Sequence, residues 1–98
     1  MKELKEAVEV LMREEYERAA ESFGESFHSP HEAYAVLKEE VEEAQKEMGY
    51  TLGQTEVYWN RIKENRITDG TLEVIEERAL NAACECIRVA AMAYKARK

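Results

Sequence analysis

Pro30 is the only proline in this chain, and only four glycines accompany it in 98 residues. So few breakers, few β-branched residues and an abundance of Ala, Glu, Lys, Leu and Arg commit the chain to long helices. The apolar residues then show where those helices run. Leu4, Val8, Leu11, Met12, Tyr16, Ala19 and Phe23 recur at helical spacing, which predicts a first helix from about Lys2 to Ser22. Gly24 to His28 interrupts the pattern and reads as a loop. Ser29 is a strong N-cap, Pro30 suits the first helical position, and Glu32 completes a capping box. A second helix therefore starts at Pro30, with an apolar stripe of Ala33, Leu37, Val41, Ala44 and Met48 and with Tyr34 beside it.

Gly49 is the expected end of that helix. From Tyr50 to Thr68 two readings stand: a short helix capped by Thr51 and Gln54 and carrying Val57, Trp59 and Ile62, or an irregular connection. Asp69-Gly70 is a turn signal, and the last helix is expected from Thr71 to Ala96. Its apolar arc of Leu72, Ala79, Leu80, Ala83, Cys86, Ile87, Ala90, Ala91 and Tyr94 is wider than one packed face requires. Small residues such as Ala82, Ala83, Ala90 and Ala93 permit close approach by neighbours. The expected fold is a single all-α domain over residues 1–98, an antiparallel bundle of three to five helices completed by oligomerisation into a homodimer or homotetramer. A chain this short leaves much of its surface exposed when alone.

The net charge of −7 removes the basic face that a general nucleic-acid binder needs. No apolar run reaches the length of a membrane span, and Met1-Lys2-Glu3-Leu4-Lys5-Glu6 lacks the features of a signal peptide. A cytoplasmic protein without membrane or nucleic-acid partners is expected. Cys84 and Cys86, two apart on one helix, point in different directions and cannot bridge each other; reduced, packing cysteines are expected.

The stretch Lys38-Glu39-Glu40-Val41-Glu42-Glu43-Ala44 carries the densest chemistry. On a helix, Glu32, Glu39, Glu43 and Glu47 share one side, and Glu40 lies where that side meets the apolar stripe. Glu40 and Glu43, at i and i+3, can converge on one ion, and oxygen-preferring Mg²⁺ or Mn²⁺ would relieve their repulsion. The plainer reading is a solvated face of good helix formers. His28 and His31 straddle the helix cap and lack the spacing of a zinc pair. In the last helix Glu85 and Arg88 share a polar edge, while Glu76 projects into the apolar arc. Tyr58 and Trp59 are core candidates, with base stacking as the alternative. A phosphate-binding glycine loop and a nucleophilic triad are both absent.

These residues resemble the MazG-like, all-α nucleotide pyrophosphohydrolases over roughly His31 to Met48 and Glu85 to Tyr94. Glu39-Glu40-Val41-Glu42-Glu43 matches the family's Glu-Glu-x-x-Glu motif, and the segment beginning Glu85-Cys86-Ile87-Arg88 is similar to its Glu-x-x-Asp helix. Arg88 stands where the family has aspartate, and the two motifs lie farther apart than usual. The resemblance implies Mg²⁺- or Mn²⁺-dependent cleavage of a nucleoside triphosphate to monophosphate and pyrophosphate. It further implies Glu40, Glu43 and Glu85 as metal ligands, Glu39 as ligand or catalytic base, and Arg88 as a phosphate contact. Two other outcomes are a helical assembly protein that keeps the fold without catalysis, and a nucleotide-binding regulator without turnover.

Overall fold

The computed structural model describes residues 1–98 as three α-helices without a strand: α1 (Lys2–Phe23), α2 (Pro30–Lys63) and α3 (Thr71–Ala96). The end of α1 and the start of α2 follow local chemistry. α1 stops at Gly24, whose φ of 92° is open to glycine and whose N–H still donates to the Ala20 carbonyl. At the start of α2 the Ser29 hydroxyl accepts from the Glu32 N–H at 3.1 Å. Glu32 reaches back one residue farther than in the usual capping box, accepting from the His28 N–H at 3.3 Å.

α2 does not end at Gly49. It continues as one helix through Gly49 and Gly53 to Lys63, so the segment from Tyr50 is neither a separate capped helix nor an irregular link. Thr51 and Thr55 turn their hydroxyls back onto the carbonyls of Glu47 and Thr51 instead of capping a new start. Interior glycines cost about 1 kcal/mol each, but Thr51, Gln54, Tyr58 and Arg61 remain partly enclosed along this stretch. Continued packing against α3 outweighs the local penalty. The helix finally closes with Asn65 at φ 53°, a conformation asparagine tolerates better than most residues. Gly70, at φ 84°, turns the chain into α3.

α2 and α3 form an antiparallel hairpin. Glu40 meets Arg88 near one end, and Glu47 meets Arg78 farther along. The enclosed positions of α2 include Ala33, Leu37, Glu40, Ala44, Glu47, Thr51, Gln54, Tyr58 and Arg61, in alternating steps of four and three. Those of α3 include Thr71, Ile75, Arg78, Ala82, Glu85, Val89 and Met92 in the same rhythm. This is the 3.5-residue repeat of a coiled-coil seam. It passes through Glu40 and Glu47, leaving Val41 and Met48 of the expected stripe 41% and 52% exposed. The apolar surface of α2 is broader than one neighbouring helix covers.

α3 is the common partner: it packs along both α2 and α1, whose backbones do not approach each other. Tyr16 and Tyr94 join α1 to α3 edge to face, with ring centroids 5.0 Å apart. The resulting body measures 55 × 30 × 21 Å with a radius of gyration of 17.1 Å, against about 13 Å for a compact chain of this size. Its buried apolar residues are all alanines, namely Ala19, Ala44, Ala82 and Ala91. These let the helices approach closely but remove little apolar surface from water. Leu72 and Leu80 on α3 stay more than half exposed, and Ala83 and Ala90 are exposed as well. No helix is long and apolar enough to cross a membrane.

Candidate functional site

Each helix places a glutamate where its seam calls for an apolar residue. In α1 the series Val8, Met12, Glu15, Ala19 carries Glu15 inward; α2 contributes Glu40 and α3 contributes Glu85. These three carboxylates surround one cation. Arg88 Nη2 lies 3.4 Å from Glu40 Oε1, Nη1 lies 3.7 Å from Glu85 Oε1, and Nε lies 3.9 Å from Glu15 Oε1. Only the contact to Glu40 is a hydrogen bond, and a long one. Glu15 is held by a second cation, since Arg18 donates to it through Nε at 3.0 Å and Nη2 at 2.5 Å.

Charge at this layer is unbalanced, and the carboxylates respond differently. Burial pushes the Glu40 carboxyl above the ordinary glutamate range; Arg88 opposes the shift, while Glu85 and Glu39 reinforce it. Glu15 is held below that range by its hydrogen bond from Arg18, against the effect of burial. Glu40 Oε2 and Glu85 Oε2 are both buried without a hydrogen-bond partner, a condition shared by Glu47 Oε2 farther along α2. Two inward carboxylate oxygens in that condition need a shared proton or a cation.

The fold therefore brings Glu40, Glu85 and Arg88 together and leaves Glu39 and Glu43 exposed on α2, in no ion pair or hydrogen bond. Glu15, which completes the cluster, escapes a motif-based reading because α1 carries no motif. Its signal is a lone glutamate at seam spacing between Met12 and Ala19. Tested against a divalent ion, the cluster fits in part. Glu40 and Glu85 offer orphaned oxygens of the right kind, but Arg88 already supplies positive charge among them. The planar guanidinium is wide, so the carboxylates ring it, and no three acidic, imidazole or thiol groups close on a single point.

A cavity of about 480 Å³ opens beside this cluster, within the size range of small-molecule sites. Glu15, Glu40 and Arg88 line it; Phe23, Phe27, Val36 and Met92 supply apolar surface, and Arg18, His28, Glu32 and Lys95 add further polar groups. His28 thus reaches the cavity while His31 does not. Tyr58 and Trp59 lie outside it, with Trp59 55% exposed and Lys63 Nζ 5.6 Å from the centre of its ring. Glu76 is exposed and unpaired, and both cysteines are free and exposed. No protein-family model, curated protein or solved structure matches this chain.

Proposed function

We propose that the chain is a MazG-like nucleoside triphosphate pyrophosphohydrolase, dependent on Mg²⁺ or Mn²⁺, that works at the Glu40–Glu85 layer. The observation that carries this reading is the pair of buried, unpartnered oxygens, Glu40 Oε2 and Glu85 Oε2, beside a cavity of about 480 Å³. Glu40 and Glu85 would hold the ion. Glu43, exposed and unpaired three residues beyond Glu40, would complete the set. The ion supplies the positive charge that offsets the phosphate oxygens in an otherwise acidic site. Arg88 contributes a planar donor suited to phosphate, because none of its carboxylate contacts is tight and it remains 47% exposed. Glu39, exposed beside Glu40 in sequence, would take a proton from water as general base.

A homodimer or homotetramer belongs to this reading. Val41, Met48, Cys86 and Val89 line an apolar groove between α2 and α3, and the exposed Leu72 and Leu80 extend the uncovered face of α3. A second copy of the same face would bury what three helices leave in water. The position of Arg88 favours one other reading. A cation already held among three carboxylates from three helices suits an assembly protein in which Arg88 replaces metal permanently.

Pyrophosphate release from a panel of nucleoside triphosphates with Mg²⁺ or Mn²⁺ separates the two. Catalysis predicts metal-dependent release that Glu40→Gln abolishes. No release from any triphosphate, with a stable oligomer retained, selects the assembly reading.

A further inference from the structure

Glu76 interrupts the exposed apolar residues of α3, and the cavity makes no use of it. It belongs to a second heptad seam. Leu72, Glu76, Ala79, Ala83, Cys86 and Ala90 follow steps of four and three, each one residue after a member of the enclosed seam, and all are exposed. On α2, Lys38, Val41, Gln45, Met48, Leu52 and Thr55 do the same. Members of both series, Val41, Gln45, Met48 and Cys86, line one groove, so the two outer seams share a side of the hairpin. Glu32, Val36 and Arg88 each stand one residue before the enclosed seam and turn the other way, toward the cavity and α1. α1 therefore leaves the outer seams uncovered.

The charges on this face are arranged to meet a second copy of it. Glu40 stands level with Arg88 and Glu47 with Arg78, which sets Gln45 level with Ala83. Lys38 lies seven residues before Gln45, and Glu76 lies seven residues before Ala83. Because the helices are antiparallel, the two charges sit at equal distances on either side of that level. A two-fold axis crossing the helices there brings each Lys38 level with the partner's Glu76. It also sets Gln45 against its own copy, where an amide can donate and accept at once. An axis along the helices would instead set like charge level with like. Both groups are free to pair: Lys38 has only an exposed 3.9 Å contact with Glu42, and Glu76 is in no ion pair.

We propose that the chain dimerises hairpin against hairpin through this face, with α2 antiparallel to its copy and the axis at the Gln45–Ala83 level. Two Lys38–Glu76 pairs between protomers fix the register, as isolated polar residues do in coiled-coil seams. This dimer rests on the association proposed above and adds its axis and its charges. Both cavities remain on the outer sides, each built from one chain.

Sedimentation equilibrium of the full chain and its charge-reversed variants tests this arrangement. Lys38→Glu and Glu76→Lys should each weaken the dimer about tenfold or more, because like charges then meet twice. The double variant should return to within about threefold of the parent, since reversal on both sides restores the pairs. Ala83→Arg, at an exposed position beside the axis, should give monomers of unchanged helicity. A parent chain that stays monomeric at high micromolar concentration would overturn this dimer together with the association reading. A dimer lost in Ala83→Arg but indifferent to both reversals, or not rescued in the double variant, would overturn this axis and leave association standing. A dimer that Ala83→Arg leaves intact would put the interface on another face and overturn the proposal.

Discussion

The α2–α3 seam contains two charged layers, and they are built on opposite principles. At one, Glu47 faces Arg78 at 3.6 Å, and the guanidinium rests on Tyr50 with its centre 4.6 Å from the ring. One anion meets one cation, and an aromatic face lies against the guanidinium. At the other, seven residues up α2, Glu15, Glu40 and Glu85 share Arg88, with Arg18 assisting only Glu15. Between them lie Ala44 and Ala82, whose small side chains bring the helices together. In the first layer Glu47 Oε2 is also buried without a hydrogen bond, but one carboxylate faces one guanidinium there, and its residues line neither the cavity nor the apolar groove described above. The second has a carboxylate excess, a displaced Glu40 titration and an open cavity. A charge pair that merely specifies register resembles the first; an arrangement that anticipates a ligand resembles the second.

Removing each arginine should expose this difference most strongly. Arg88→Met, measured by urea unfolding in EDTA at neutral pH, is expected to cost about 2 kcal/mol, below the range for fully buried pairs because Arg88 is half exposed. Arg78→Met should cost about 1 kcal/mol, the sum of one partly exposed ion pair and one ring contact. Added Mn²⁺ should recover much of the loss in Arg88→Met and none in Arg78→Met. Equal costs and equal indifference to Mn²⁺ would make the two layers equivalent.

A smaller effect lies in the pH dependence. The Glu40 carboxyl titrates above its ordinary value of 4.5, so the fold holds this proton more tightly than the unfolded chain does. Its contribution to stability is full below the ordinary range and declines as pH rises through the raised folded value. Glu15 has the opposite sign: its lowered value contributes stability above the ordinary range, lost as pH falls through the folded value. In EDTA, Glu40→Gln should therefore flatten the decline on the neutral side, and Glu15→Gln should lower stability at neutral pH. Unfolding curves across the acidic-to-neutral interval measure both, and parallel curves for the parent and Glu40→Gln would remove the distinction. The smallest expected effect belongs to the first layer, where Tyr50→Leu should cost roughly 0.5 kcal/mol through loss of the contact with Arg78.

Much of the fold was legible because local chemistry decided it. Ser29, Pro30 and Glu32 state a helix start in any context, and Asp69-Gly70 states a turn. The end of α2 was not legible. Gly49 is a local stop signal, and it is overridden by a seam that becomes visible only when α3 lies alongside Thr51, Gln54 and Tyr58. The candidate site divides in the same way. Glu40 stands out by residue type and spacing, and Glu85 and Arg88 through the resemblance; the fold brings these three together and leaves Glu39 and Glu43, read as site residues as well, outside. Glu15 and Lys95 do not stand out, because a lone glutamate or lysine at an enclosed position looks like any other surface charge until its neighbours are known. Val41 and Met48 show the converse: their helical spacing is that of a core stripe, yet the seam turns them outward toward a face that the single chain leaves uncovered.

Whether the excess carboxylates of the Arg88 layer form a cation site is read out by a Mn²⁺ titration followed by electron paramagnetic resonance. One principal site per chain is expected in the parent protein, weakened about tenfold or more in Glu40→Gln, unchanged in Glu47→Gln and tightened in Arg88→Asp. Mn²⁺ that binds nowhere in the parent or in Arg88→Asp, or that binds Glu40→Gln and Glu47→Gln alike, would contradict it and leave Arg88 as the permanent counter-ion of a structural layer.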